Sequence, residues 1–335
     1  LFSGRKRSIF ASKDRKEIME RRFNSFVGYY KERYGERLQK LVLDAGFTCP
    51  NRDGKVGVGG CTYCDNASFH PGYSTAGKSL HEQIDEGIEF HRVRYRNTTH
   101  YLAYFQSFSN TYAPLERLRE VYEDALSHPS VVGIVIGTRP DCVDDEKLDY
   151  ISSLKGLRKE GWPHEMIVTL EYGIESCYDS TLRRINRGHD FDTARRAVEK
   201  TAERGIDVGA HFILGLPGET REMLLDQCDT INSLPLRSIK FHQLQLVKGT
   251  RMKAEFESHP EEFKRYSLDE YLDLMTDILE RLRPDLYIER VVGEVPPRFV
   301  DTPEWGLIRN FQIIDLLEQR MESRNTYQGR LYMPA

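Results

Sequence analysis

Cys49-Pro-Asn-Arg-Asp-Gly-Lys-Val-Gly-Val-Gly-Gly-Cys61-Thr-Tyr-Cys64 sets three thiols on one glycine-rich loop, spaced C-x11-C-x2-C. Just before it, Leu41-Val-Leu-Asp-Ala-Gly-Phe47 reads as a short apolar strand, and residues 79–94 read as a helix after it. The cysteines therefore fall on the loop after the first strand. Three thiolates on one loop can hold three irons of a [4Fe–4S] cube and leave the fourth iron without a protein ligand. A structural zinc site wants four ligands. Here Cys142, Cys177 and Cys228 stand singly, and no nearby histidine has finger spacing. A disulfide scaffold fits poorly, because 6 cysteines in 335 residues come without a signal peptide.

Working outward from the loop, strands and helices alternate. Residues 100–105, 131–136, 166–170, 206–214 and 238–246 read as strands two to six. Helices are expected over 115–126, 144–159, 178–186, 191–204 and 219–233. Six βα units demand a parallel sheet with right-handed crossovers. The unusual loops all fall at C-terminal strand ends, where such folds collect ligands. The expected class is α/β, a parallel barrel or open sheet. A helical stripe at Phe23, Phe26, Val27 and Tyr30 precedes the barrel. After it come a helix over 268–283 with Ser267 as N-cap, a short strand over 287–292 and a last helix over 304–323. These last elements are expected to pack on the barrel and shape its mouth. The domain reading is a basic arm and helix over 1–38, the barrel over 39–252 and an α+β extension over 253–335.

Composition sets bounds on the class. With 39% hydrophobic and 30% charged residues and no apolar run of membrane-spanning length, the chain reads as soluble, with no membrane partner. Free thiols and an oxygen-sensitive cluster suit a reducing cytoplasm. The net charge of −4 hides an asymmetry: residues 1–40 carry twelve Lys/Arg and five Asp/Glu, so the first 40 residues sit at +7 and the rest at −11. A basic arm on an acidic body can meet nucleic acid, or be a solvated, frayed terminus.

Several polar residues stand where βα folds place ligands. Arg139, in Gly137-Thr-Arg-Pro-Asp, ends strand three and could hold a carboxylate or phosphate, or simply pair with Asp141. On strand six, Lys240, His242, Gln243 and Gln245 interrupt a buried run, and burying them costs free energy unless they are paired. Alternation puts Lys240 with His242 on one face and Phe241 with Gln243 on the other, and one set is expected to line the lumen as a substrate-side surface. His211 on strand five reads as a satisfied core histidine.

The strand-loop Asp44-Ala-Gly-Phe-Thr-Cys-Pro-Asn-Arg-Asp-Gly, followed by Gly59-Gly-Cys-Thr-Tyr-Cys, resembles the radical S-adenosylmethionine (SAM) superfamily. Within it the stretch is similar to the YhcC/YtqA-like family, relatives of the catalytic domain of Elongator protein 3. Thr181-Leu-Arg-Arg-Ile-Asn-Arg-Gly-His-Asp190 and Gly209-Ala-His-Phe-Ile-Leu-Gly-Leu-Pro-Gly218 extend the likeness over nearly the whole chain. The resemblance implies a partial (β/α)6 barrel and a [4Fe–4S] cluster on Cys49, Cys61 and Cys64, with SAM as the second cofactor. It implies that Gln106, Ser107 and Asn110 grip the methionyl group and that Glu175 and Arg187 contact ribose and carboxylate. It also implies that backbone at Gly215 and Leu216 faces adenine, and Arg139 joins the expected pocket by its place at the end of strand three. Glu175 stands where glutamine is usual, so it can accept from hydroxyls but cannot donate. No hydrogen-bonding side chain is singled out as catalytic. The implied substrate is tRNA, modified at a wobble uridine, and the implied electron donor is of flavodoxin or ferredoxin type. A small-metabolite radical SAM enzyme and a non-catalytic iron–sulfur RNA-binding protein are the alternatives.

Overall fold

The computed structural model describes residues 21–69, 71–93, 98–301, 305–306 and 308–334. The expected frayed arm over 1–20, with Arg5, Lys6, Arg7, Arg15 and Lys16, lies outside the described residues. In chain order the elements are α1 (Phe26–Tyr34), β1 (Gln39–Leu43), α2 (Leu80–Arg92), β2 (Tyr101–Phe105), α3 (Leu115–Ser127), β3 (Val131–Thr138), α4 (Asp145–Ser153), β4 (Ile167–Glu175), α5 (Asp179–Arg184), α6 (Phe191–Glu203), β5 (Asp207–Leu214), α7 (Arg221–Ser233), β6 (Ser238–Gln243), α8 (Arg251–Ser258), α9 (Leu268–Arg281), β7 (Tyr287–Arg290) and α10 (Asn310–Ser323).

Among the described residues, the seven strands form one sheet in sequential order, every neighbour parallel. Parallel strands need a crossover between them, which the intervening helices supply. Helices on the outer face and a filled lumen bury both sides of the strands, so β2 and β3 are buried at every residue. The sheet curls into a half-barrel, because the first and last strands reach each other: Lys40 on β1 lies 2.6 Å from Glu289 on β7. Leu41, Phe105, Tyr122, Tyr172, Phe212 and Phe241 are among the fully buried side chains. Burying each such side chain contributes about 1.5–3 kcal/mol.

Local rules fix the ends of the helices. Ser79 and Glu82 form a capping box on α2, and Ser267 and Glu270 form one on α9. Gly35, with φ +77°, stops α1 by closing back on Lys31.

Several readings change: strand six, read to residue 246, ends at Gln243, and the last helix, read from residue 304, spans Asn310–Ser323. The short strand after residue 286 is part of the sheet: β7 pairs with β6 as its seventh strand. β4 runs on to Glu175, because Glu-Tyr-Gly-Ile-Glu keeps pairing with β5 through a register shift between Gly173 and Glu175. The helix expected over 144–159 ends at Ser153 and passes into a 3-10 turn at Leu154–Gly156, which buries Leu154. α8 was not expected, since it buries only Met252 and so carries no apolar stripe.

Gly133 lies where β3 meets β4. A Cβ there would come within 2.5 Å of the Ile167 carbonyl oxygen and 2.9 Å of Leu102 Cδ2. Gly133→Ala is therefore expected to lower stability by about 1–3 kcal/mol, read as a lowered midpoint in chemical denaturation. An unchanged midpoint would show that the strands part freely at this point.

Candidate active site

One cavity opens at the C-terminal ends of the strands, with about 1320 Å³ of empty space counting its open mouth. Cys49, Cys61 and Cys64 line it, and all three thiols are free. Their loop is held by its own backbone and by its neighbours. The Cys49 carbonyl accepts from Arg52 N at 2.8 Å, and the Pro50 carbonyl from Val56 N at 2.8 Å. Thr62 N donates to the Ile185 carbonyl at 2.9 Å, and Met252 N to the Thr62 carbonyl at 2.9 Å, so α5 and α8 clamp the second and third cysteines.

N–H donors surround the sulfurs. Asn51 Nδ2 lies 3.6 Å and Arg187 Nη1 3.5 Å from Cys61 Sγ. Arg52 Nη2 donates to the Cys64 carbonyl at 2.9 Å. Burial and the neighbouring Cys61 push the Cys64 thiol up, and Arg52 opposes them. Among the described residues, the only group of three ligand-type side chains whose atoms fall within 4.8 Å of one another is the exposed set His259, Glu261 and Glu262. The three thiols do not converge on one point. Separated thiols with cationic donors beside them fit an anionic cluster, whose irons are separate points, better than a single ion.

Around the rim, Arg187 is 6% exposed and donates to the Gly173 carbonyl at 2.5 Å, with Glu175 at 3.8 Å. Glu175 takes φ +75°, a strained backbone for a residue with a Cβ, at the shift in β4. Arg139 is 2% exposed and pairs with Asp141 through two bonds of 2.8 and 2.7 Å, while its Nη1 is buried without a hydrogen bond. Burial pushes the Asp141 carboxyl up, and the Arg139 pair more than offsets this and holds it below its usual range. His189 is pushed down to about 3 by burial beside Arg187, so it is neutral at physiological pH and does not cap a helix as a cation.

The deep end of the cavity is charged. Glu171 on β4 accepts from Lys40 at 2.6 Å, Lys240 at 2.5 Å and His211 Nε2 at 3.0 Å. Glu289 accepts from Lys40 at 2.6 Å and lies 3.0 Å from Lys240. Lys240 also donates to Tyr104 Oη at 3.2 Å.

Comparison with known proteins decides the family. The radical SAM superfamily model matches residues 49–231, and the radical SAM C-terminal domain model matches residues 236–323. This chain belongs to the radical SAM superfamily. It is 35% identical to the uncharacterized protein YtqA of Bacillus subtilis over 319 residues, covering 93% of this chain and 94% of that one. It is 34% identical to the protein YhcC of Escherichia coli, covering 86% and 88%. The archaeal Elp3 of Methanocaldococcus infernus, solved with an N-terminal deletion, shares the fold at a TM-score of 0.65 and 15% identity; the match covers 87% of this chain and 64% of that one. Radical SAM enzymes use a [4Fe–4S] cluster and SAM, and the three free thiols and their donors suit this use.

The residues expected at the site separate into two groups. Gln106, Arg139, Glu175 and Arg187 line the cavity with the three cysteines. Asn110 does not, because its Nδ2 is spent on the Phe105 and Gly137 carbonyls at 3.1 and 2.7 Å and braces the loop. Ser107 is buried away from the wall. Leu216 packs instead into an apolar cluster with Leu182, Ile185, Ile213 and Met252. Gly215, with φ +88°, turns the chain beside Tyr266, and Ile213 and Leu244 line the cavity nearby. His211, expected as a core histidine, faces the cavity. Tyr104, Lys40 and Glu289 went unread, although a charged residue inside a buried parallel strand was the available signal. Arg22, part of the basic arm, donates through its backbone N to Glu318 on α10 at 3.1 Å and through Nη1 to the Thr326 carbonyl at 3.0 Å.

Two outcomes follow. Cys49→Ala, Cys61→Ala and Cys64→Ala should each lower iron content after anaerobic reconstitution, while Cys142→Ala and Cys228→Ala keep it; equal iron in all five would contradict the assignment. Glu219, buried and accepting from Ser176, is raised from its usual value to about 7 by burial. Between the usual carboxylate range and pH 7 the folded state keeps a proton that the unfolded state has lost, so stability falls as pH rises through that window, by about 3 kcal/mol. Glu219→Gln should remove this slope in denaturation measured from pH 5 to 8; an unchanged slope would place the titration elsewhere.

Proposed function

We propose that this radical SAM enzyme acts on tRNA, on the side chain of a uridine. The observation that carries the reading is one cavity that joins three free thiols at its mouth to a polar floor deep in the lumen, room for two cofactors and an inserted group. Likeness to the tRNA uridine(34) acetyltransferase of Methanocaldococcus infernus, 23% identical over 185 residues, and the basic first 40 residues support tRNA.

Cys49, Cys61 and Cys64 hold the cluster. Asn51 and Arg187 donate toward the Cys61 sulfur and stabilise its thiolate. The unsatisfied Arg139 Nη1 and the Arg187 guanidinium receive the carboxylate of SAM, Gln106 its methionyl amino group and Glu175 its hydroxyls. When bound, cluster and SAM supply a 5′-deoxyadenosyl radical, the reactive species for hydrogen abstraction. Phe108, Ile213 and Leu244 form apolar walls that exclude water from it. The electron donor is a flavodoxin or ferredoxin. The working compartment is the cytoplasm, which the six free thiols support. No described helix is long and apolar enough to cross a membrane.

The test uses anaerobic, cluster-loaded enzyme with tRNA from a strain lacking its gene. That tRNA should stimulate release of 5′-deoxyadenosine and gain a modified uridine. Binding should weaken steeply with salt, and removing residues 1–20, with their six Lys/Arg, should flatten that dependence. A tRNA that neither binds nor stimulates release would leave a small-metabolite enzyme.

A further inference from the structure

His211 on β5 and His242 on β6 lie on adjacent strands, their ring centroids 5.7 Å apart, and both line the cavity. His211 is oriented by Glu171: a carboxylate only accepts, so Nε2 carries the proton of that bond and Nδ1 is left for another partner. His242 makes no hydrogen bond among the described residues. Burial, then the neighbouring Arg290, His211 and Lys240, hold its pKa well below the usual imidazole range, so the ring is neutral.

The place of His242 is built. Its ring lies over Gly293, where a Cβ would strike Nδ1 at 2.8 Å. Gly293 is in turn pinned by the Gln243 amide, which accepts from its N–H at 2.9 Å and donates to its carbonyl at 3.2 Å. His242 is half-buried on the cavity wall, so a ligand can reach its ring and supply the hydrogen bonds it does not make within the described residues.

The charges beneath exclude an anion. Lys40 and Lys240 are both matched by Glu171 and Glu289, and Arg290, the further cation beside His242, does not line the cavity, so no unmatched cation faces a ligand from beneath. Above the histidines, strand alternation puts Ile213 over His211 and Leu244 over His242, and both line the cavity. An edge with hydrogen-bonding groups thus meets the imidazoles while the ring faces lie on aliphatic side chains.

We propose that His211 and His242 are specificity-determining residues that bind the reacting part of the substrate, and that this part is an uncharged planar ring edge with adjoining donor and acceptor, the chemistry of uracil. The proposal rests on the tRNA reading for the choice of uracil, and on the balanced floor for the exclusion of charge.

The full chain labelled with 15N-histidine, purified anaerobically, is titrated with uridine and separately with orotate, a pyrimidine carboxylate. Uridine should shift the ring nitrogen signals of His211 and His242 together, and orotate should leave them in place. His242→Phe should weaken uridine binding about tenfold, and His242→Gln, which keeps a donor and an acceptor, should restore most of it. Unmoved ring signals with uridine, or orotate binding as tightly as uridine, would overturn the proposal; this wild-type titration decides even where His242→Phe does not fold. The two readings fail separately. Uridine on the histidines with tRNA inert removes tRNA and keeps the floor. Turnover of tRNA unaffected by His242→Phe keeps tRNA and removes the floor.

Discussion

The Glu171 carboxylate, clamped between Lys40 and Lys240, is the interaction on which the interior depends. Burial alone would neutralise it; Lys240 and Lys40, with His211 adding a hydrogen bond, hold it ionised, well below the usual carboxylate range. With Glu289 it joins β1, β4, β6 and β7 across the lumen. A buried pair of this kind is weak evidence for net stability, because desolvation offsets much of the attraction. Removing one member is costly, since it strands the others in a low-dielectric lumen. The network therefore specifies the curl of the sheet and the width of the cavity more than it stabilises the fold.

From that floor the site is layered by alternation along the strands. Charges lie deepest, the two imidazoles next, Ile213 and Leu244 above them, and the thiols and the Arg139–Arg187 pair at the mouth. Arg139 and Arg187 stand by the thiols, and the interior beyond them is lined by imidazoles and aliphatic side chains over a floor of paired charges. This order matches radical chemistry, in which the reactive carbon must be kept from solvent and from stray hydrogen donors.

Much of this was legible in the chain. The cysteine spacing and the βα alternation pointed to a cluster loop on a parallel α/β fold, because both are local patterns, and the resemblance of the quoted motifs supplied the family and the half-barrel. Strand six was read as a polar strand over 238–246; it ends at Gln243, and His242 and Gln243, from opposite faces, both line the cavity. Three things were hidden. The seventh strand spans only four residues at Tyr287–Arg290 and is too short to announce its partner. The role of Asn110 depends on two carbonyls brought together by folding, not on its neighbours in sequence. Lys40, Glu171 and Glu289 lie up to 249 residues apart, and no window along the chain shows that they meet.

The most direct test of the account is electron paramagnetic resonance of the reduced, anaerobically reconstituted protein, before and after adding SAM. The account predicts an S = 1/2 iron–sulfur signal that changes shape and position when SAM is added, because three cysteines leave one iron open to it. A signal that SAM leaves unchanged, in protein carrying a full complement of iron, would contradict a site built to bring SAM to the cluster.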